Sequence, residues 1–334
     1  MAIKSIEINN LLVFGQHDNS TFQLDFCDGI NVIIGENGVG KTTLLKMLYA
    51  AMQWSEGKMN PLKHFFSVSE NGSSVLKNVD NSMEPGRFSV TDGEHRITHS
   101  ISDIETSSSD GWGKMNIQSV FIPSTEMLSH SNGFLAMNQK YHMPFDGTQV
   151  DIIVNASLPE TREVPAAMEG ILKKISDAIG GTVTLEDDTF YVIKKDGHKI
   201  DGHKIEFSLE AEGLRKLGLL WKLIRNGLLE SGSALLWDEP EANLNPELYP
   251  LVAEILLELE KNGVQIFVAT HSYNFAKYLE IRRDKNEQVM FHNLYKRFSE
   301  NGMIFSNSAF RMEDITPNHI MIADMKLLDE VYDL

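Results

Sequence analysis

One stretch limits the fold more than any other: Gly35-Glu36-Asn37-Gly38-Val39-Gly40-Lys41-Thr42 is a glycine, four residues, then Gly-Lys-Thr. It follows the short apolar run Ile30–Ile34. After it, Leu44, Leu45, Leu48 and Met52 are spaced as one face of a helix over 41–53. A strand, a glycine-rich loop and a helix in that order form a cradle for phosphate. The glycines let backbone N–H groups turn inward around phosphate oxygens, and the helix N-terminus adds partial positive charge. Lys41 is expected to reach the β- and γ-phosphates and the Thr42 hydroxyl to ligate Mg²⁺, with Gly35, Asn37, Gly38, Gly40 and Thr43 around them. A mere glycine-rich connector would leave the glycines and the helix-starting lysine unexplained.

Two later apolar runs also end in chemistry. Ala234-Leu-Leu-Trp237 leads into Asp238-Glu239-Pro240, and Ile266-Phe-Val-Ala269 leads into Thr270-His271. Doubly wound sheets present ligand groups at the C-terminal ends of their strands. There Asp238 is expected to support Mg²⁺ and Glu239 to polarise the attacking water, a general-base role worth about 10²–10⁴-fold in rate. Two acids at a strand end fit a solvated loop equally well by themselves, and the upstream phosphate loop decides between the readings. The spacing of His271 after the acids suits a γ-phosphate sensor, although a lone histidine is usually structural. Upstream, Leu209-Glu-Ala211-Glu-Gly213 opens a helix expected over 214–229.

The rest of the chain has an α/β rhythm with a looser middle. Ile3, Ile6 and Ile8 mark a first strand, Phe22–Phe26 a second, and 87–90 and 95–101 a pair around the turn Asp92-Gly93. Ser107–Gly113 is the least patterned segment. A strand over 117–122 stops at Pro123, and 165–179 is an amphipathic helix closed by Gly180-Gly181. Asp196-Gly-His-Lys-Ile200 is copied directly as 201–205; one duplication makes no solenoid, and each Asp-Gly fits a turn in a hairpin extension. The helix ending near Lys261 either starts late or is kinked by Pro250. A final hairpin is expected to turn at Asn301-Gly302.

The formal net charge of −17 does not point to nucleic acid, whose binders usually carry a basic surplus. Lys173-Lys174, Lys194-Lys195 and Arg282-Arg283 read as solvated pairs. A single cysteine, Cys27, excludes an internal disulfide. No basic, apolar leader pattern opens the chain, and no run approaches the roughly 18 apolar residues of a membrane span. The expectation is a soluble, cytoplasmic protein with no membrane partner.

The order of phosphate loop, signature helix, Asp-Glu strand and switch histidine resembles the ABC ATPases. More closely it resembles the branch containing RecF, Rad50, SMC and OLD-type ATPases, through Ile3–Asn10, Gly35–Thr42 and Asp238-Glu-Pro-Glu-Ala-Asn-Leu-Asn-Pro246. The resemblance covers roughly 1–55 and 205–280. It implies an α/β P-loop NTPase of ABC-head type, with an antiparallel β lobe and an inserted helical lobe. The expected layout is one ATPase domain over 1–334, its core from 1–124 and 206–334 and its insert from 125–205. It further implies ATP as the nucleotide and a head-to-tail homodimer, or a higher even oligomer, in which Gly213 faces the partner's γ-phosphate. Asn243 and Asn245 would lie in the D-loop at the dimer interface, and Glu126 near the metal, where the family's Q-loop glutamine sits.

The chain also departs from that pattern. Ala211 stands where the signature usually has serine, so that hydroxyl is missing unless Ser208 substitutes, and turnover is expected to be slow or partner-stimulated. About 170 residues separate phosphate loop and signature, too few for long coiled-coil arms, and no sustained heptads occur. The roughly sixty residues after His271 hold no recognisable Toprim or HNH nuclease. The leading expectation is therefore a regulatory ATPase acting on a separate effector, such as a nuclease, in an anti-phage or toxin-like module. The alternatives are a RecF-like DNA-repair ATPase and, behind it, a transporter ATPase.

Overall fold

The apolar runs Ile30–Gly35, Ala234–Asp238 and Gln265–Thr270 are strands buried along their whole length, as a sheet covered on both faces requires. The computed structural model describes residues 2–15, 21–55, 61–66, 76, 85–101, 106–109, 117–196, 199–297 and 303–332. The first half runs β1 (Ser5–Asn9), β2 (Phe22–Asp25), β3 (Ile30–Gly35), α1 (Lys41–Ser55), α2 (Pro61–Phe65), β4 (Gly86–Thr91), β5 (Arg96–Ile101), β6 (Thr106–Ser109) and β7 (Ser119–Ile122). Then come α3 (Phe134–Tyr141), α4 (Gly147–Ser157), α5 (Ala166–Ile179), β8 (Gly181–Glu186), β9 (Thr189–Asp196), β10 (Lys199–Glu206) and α6 (Glu212–Arg225). The chain continues with β11 (Ala234–Asp238), α7 (Tyr249–Lys261), β12 (Gln265–Thr270), α8 (Tyr273–Arg282), β13 (Val289–Arg297), β14 (Met303–Ala309) and α9 (His319–Tyr332).

Among the described residues the central sheet has the order β14-β13-β3-β12-β11-β7, parallel except for the antiparallel edge strand β14. Side chains alternate between its faces with period two. Ile30, Val32, Ile34, Leu235, Trp237, Ile266 and Val268 join one apolar cluster with α5, α6 and α7. Ile33, Leu236, Phe267 and Ala269 join the other, with α1 and the N-terminal strands. Those strands form the antiparallel sheet β2-β1-β4-β5-β6. This is the P-loop NTPase arrangement, with an antiparallel β lobe packed over the phosphate-loop helix.

Residues 125–205 contribute α3, α4 and α5 and a three-stranded sheet, β10-β9-β8. Ile152, Ile171, Ile175, Val183 and Val192 share the cluster of Leu217 and Leu220 on α6, so these elements pack on one apolar core.

Several local expectations change. Asp196 of the first Asp-Gly ends β9 and Gly197 lies outside the described residues; the second Asp-Gly lies inside β10, where the register with β9 shifts between Ile200 and Lys204, so it is a bulge rather than a turn. The signature helix ends at Arg225, because Asn226 caps it and Gly227 takes φ +74°, which a continuing helix excludes. Pro250 stands in the first turn of α7, where a missing N–H is tolerated, so that helix starts late and is not kinked. The unpatterned 110–113 and the turn at 301–302 lie outside the described residues.

Candidate nucleotide site

Strand register brings the distant motifs together. Asp238 pairs opposite Ala269 and Thr270 opposite Ile34, so the parallel strands β11, β12 and β3 end at one edge. That edge receives Gly35, Asp238, Glu239 and His271.

The loop after β3 is shaped by what its neighbours exclude. At Gly35, φ is +143° and a Cβ would lie 2.2 Å from the Leu294 carbonyl oxygen of β13. At Gly40, φ is +92° and a Cβ would lie 2.6 Å from Phe14 Cζ. Glycine is the residue that accepts both constraints. Glu36, Asn37 and Gly38 form an exposed crest, while Lys41 is only 7% exposed. Its ammonium donates to the carbonyls of Gly35 at 2.8 Å and Glu36 at 2.9 Å. Burial depresses the Lys41 pKa, opposed by the carboxylates of Glu239, Asp238, Glu241 and Glu36. Thr42 is exposed and Thr43 half-buried in the first turn of α1.

The Thr42 hydroxyl donates to Asp238 Oδ2 at 2.9 Å, joining residues 196 apart in sequence. Burial raises the Asp238 carboxyl to about 6, against the Thr42 hydrogen bond that lowers it. The second oxygen, Oδ1, is buried and has no hydrogen-bond partner. An acceptor left bare costs about 1–3 kcal/mol. A carboxylate oxygen without a partner, beside a threonine hydroxyl and a phosphate cradle, is the donor set a hard divalent cation takes, so Thr42 and Asp238 fit Mg²⁺.

Glu239 follows in a left-handed backbone conformation, φ +48°, anchored by its N–H to the Ala269 carbonyl at 2.9 Å. Its carboxylate lies 3.2 Å from His271 Nδ1. Glu241 also belongs to this group, as sequence reasoning did not foresee. It is 5% exposed, takes a hydrogen bond from the Thr270 hydroxyl, and lies 3.9 Å from His271 Nδ1. Burial raises its pKa. A third acid two positions after Glu239 was the signal available for it.

Other expected residues lie elsewhere. Gly213 is buried at the start of α6, where a Cβ would meet the Asn243 carbonyl oxygen at 2.9 Å. Asn243 donates to Glu212 at 2.8 Å, and Asn245 caps the turn after it through Glu247 N–H at 3.2 Å. Ser208 and Ala211 are exposed, and the Ser208 hydroxyl donates to Glu206 at 2.7 Å. Glu126 is held by other partners. Its carboxylate is 6% exposed, accepts the N–H groups of Leu128 and Ser129 and pairs with Arg215 at 3.2 Å. With its oxygens so engaged it ties the end of β7 to α6.

Comparison with known proteins finds likeness to AAA domains and to SMC heads. A family model described as "AAA domain, putative AbiEii toxin, Type IV TA system" matches residues 157–276, and an "AAA domain" model matches 5–132. The L-cystine import ATP-binding protein TcyN of Bacillus subtilis (strain 168) is 34% identical over 101 residues, 25% of this chain and 37% of that protein. The chain therefore matches little more than a third of that relative. Among solved structures, the SMC head domain of Thermotoga maritima aligns with a TM-score of 0.52 at 17% identity, over 92% of this chain and 99% of that one. An SMC head bound to the C-terminal winged-helix domain of ScpA aligns at 0.58 and 15%, over 94% and 100%. An SMC head from Pyrococcus furiosus, bound to the C-terminal domain of ScpA, aligns at 0.53 and 14%, over 99% of each chain. Among the described residues no helix is long and apolar enough to cross a membrane. With AAA-domain models matching both motif-bearing ends and SMC heads aligning over nearly the whole chain, the protein has the P-loop NTPase fold of an SMC head, and these likenesses support the ABC-class resemblance of its motifs.

Proposed function

We propose that the chain hydrolyses ATP as a head-to-tail dimer and that the dimer controls a separate effector protein. The observation that carries this is the convergence on one sheet edge: Thr42 on Asp238 at 2.9 Å, and Glu239 beside His271 at 3.2 Å, next to the Gly35–Lys41 loop. Lys41 would exchange its two loop carbonyls for phosphate oxygens. Thr42 and Asp238 would hold Mg²⁺, which would supply neutralisation of phosphate charge. Glu239 takes a proton from water as the water oxygen bonds to the γ-phosphorus and the bond to the bridging oxygen breaks. His271 orients the Glu239 carboxylate and faces the γ-phosphate. The residues leading into α6, of which Ser208, Leu209 and Ala211 are exposed, complete the partner's site, with Gly213 behind them.

The match to a family described as a putative toxin of a type IV toxin–antitoxin system supports a toxin-like or anti-phage module. In this reading 1–334 is one domain with 125–205 as its insert, acting in the cytoplasm. Mass photometry of the wild type and Glu239→Gln, with and without ATP and Mg²⁺, tests it. ATP-dependent dimers or even multiples that accumulate in the variant are expected. A mass unchanged by ATP in both proteins refutes the composite site.

A further inference from the structure

Lysine is almost never sealed inside a protein unless it is paired, yet Lys216, in the first turns of α6, is 2% exposed. Its ammonium donates at 2.9 Å to the backbone carbonyl of Glu239. The carboxylates of Glu241, Glu212, Glu239 and Asp238 surround it with opposing charge. An apolar side chain would fill the same space without the desolvation cost of an ammonium. What lysine adds is a donor held on one particular peptide group, that of a residue in the left-handed conformation.

The start of α6 is fastened to the same loop at two further points. Gly213 lies under Asn243 and Leu244, and Asn243 donates to Glu212 at 2.8 Å. On its other side Arg215 pairs with Glu126 at 3.2 Å. The first turns of the helix and the residues after β11 are thus joined by close packing and hydrogen bonds.

We propose that Lys216 is a positioning residue that holds the Glu239 backbone, so that the start of α6 and the general base move as one unit. This rests on reading Glu239 as the base. In a head-to-tail dimer the start of α6 meets the nucleotide of the partner. Through Lys216, nucleotide bound in one composite site then sets the base of the other, and the two sites fire cooperatively. A catalytic group displaced by about 1 Å loses up to about 100-fold in rate.

The test uses the full chain with Lys216→Met, which keeps volume and drops the donor, and Lys216→Arg, which keeps a donor. Expected for Lys216→Met is a kcat at least about 10-fold lower. ATP affinity stays within about twofold, the Hill coefficient falls to one, and amide exchange quickens at Glu239–Ala242 but not at Glu36–Thr42. Lys216→Arg recovers part of the rate. Equal losses in kcat and ATP affinity, or unchanged kcat and exchange, overturn the proposal. If Lys216→Met does not melt cooperatively, Lys216→Gln takes its place with the same readouts. Should the wild type show no turnover, the hydrolysis reading fails and the exchange pattern decides the positioning role by itself. Glu239→Gln that never dimerises with ATP refutes the sandwich while leaving the effect of Lys216 on kcat to stand or fall on its own.

Discussion

Asp238→Asn should stabilise the nucleotide-free protein while abolishing its response to Mg²⁺-ATP. The Asp238 carboxyl titrates near 6 in the folded chain against an ordinary value of 3.8, raised by burial. The folded state therefore holds the proton more tightly than the unfolded state does. Stability falls as pH rises from 3.8 to 6 and stays lowered above that window. At 1.36 kcal/mol per pH unit, burying the ionised form costs about 3 kcal/mol at neutral pH. Asparagine removes that charge, keeps an acceptor for the Thr42 hydroxyl, and places an amide where Oδ1 now lacks a partner. An unsatisfied buried amide returns about 1–2 kcal/mol of the gain, leaving a net stabilisation of about 1–2 kcal/mol. The assay is thermal and urea unfolding of both proteins from pH 4 to 8. The variant should be the more stable above pH 6, and the difference should close as pH falls towards 3.8. Mg²⁺-ATP should raise the Tm of the wild type alone. A variant less stable than wild type at pH 7.5, or a difference independent of pH, refutes the argument that a buried carboxylate with one partnerless oxygen awaits a cation.

Two further substitutions probe the cradle and its support. Gly40→Ala forces a Cβ to within 2.6 Å of Phe14 Cζ and 2.7 Å of Val13 Cγ2 at φ +92°; it should destabilise by about 1–3 kcal/mol in urea unfolding and weaken ATP at least about tenfold by calorimetry. Near-wild-type affinity would show that the loop accommodates a side chain and that the glycine is not needed for phosphate. Glu126→Gln leaves Arg215 half-buried without its carboxylate, and the loss should be about 3 kcal/mol of stability with Mg²⁺-ATP affinity unchanged. A selective loss of Mg²⁺-dependent binding would restore the metal role instead.

The phosphate loop, the Asp-Glu strand end and the strand delivering His271 were legible in the sequence because each is a contiguous pattern: an apolar run, then a few residues whose chemistry depends on their neighbours in the chain. The same locality made the β-α alternation readable and, with it, the P-loop NTPase fold. The contacts that join these motifs were not readable. Thr42 meets Asp238 across 196 positions, and only the parallel registers of β3, β12 and β11 set that distance. Lys216 gave no sequence signal, because a lysine in an amphipathic helix is solvated unless a particular loop folds over it. The resemblance put Glu126 near the metal by its place after a strand, but a backbone turn and an arginine from α6 claim its oxygens. The second Asp-Gly looked like a turn, and pairing with β9 drew it into a strand as a bulge. Sequence thus determined which groups the chain carries to its strand ends, since that depends on local periodicity. Tertiary structure decided which of those groups are buried, paired or left open, since burial and charge pairing are set by residues far away in the chain.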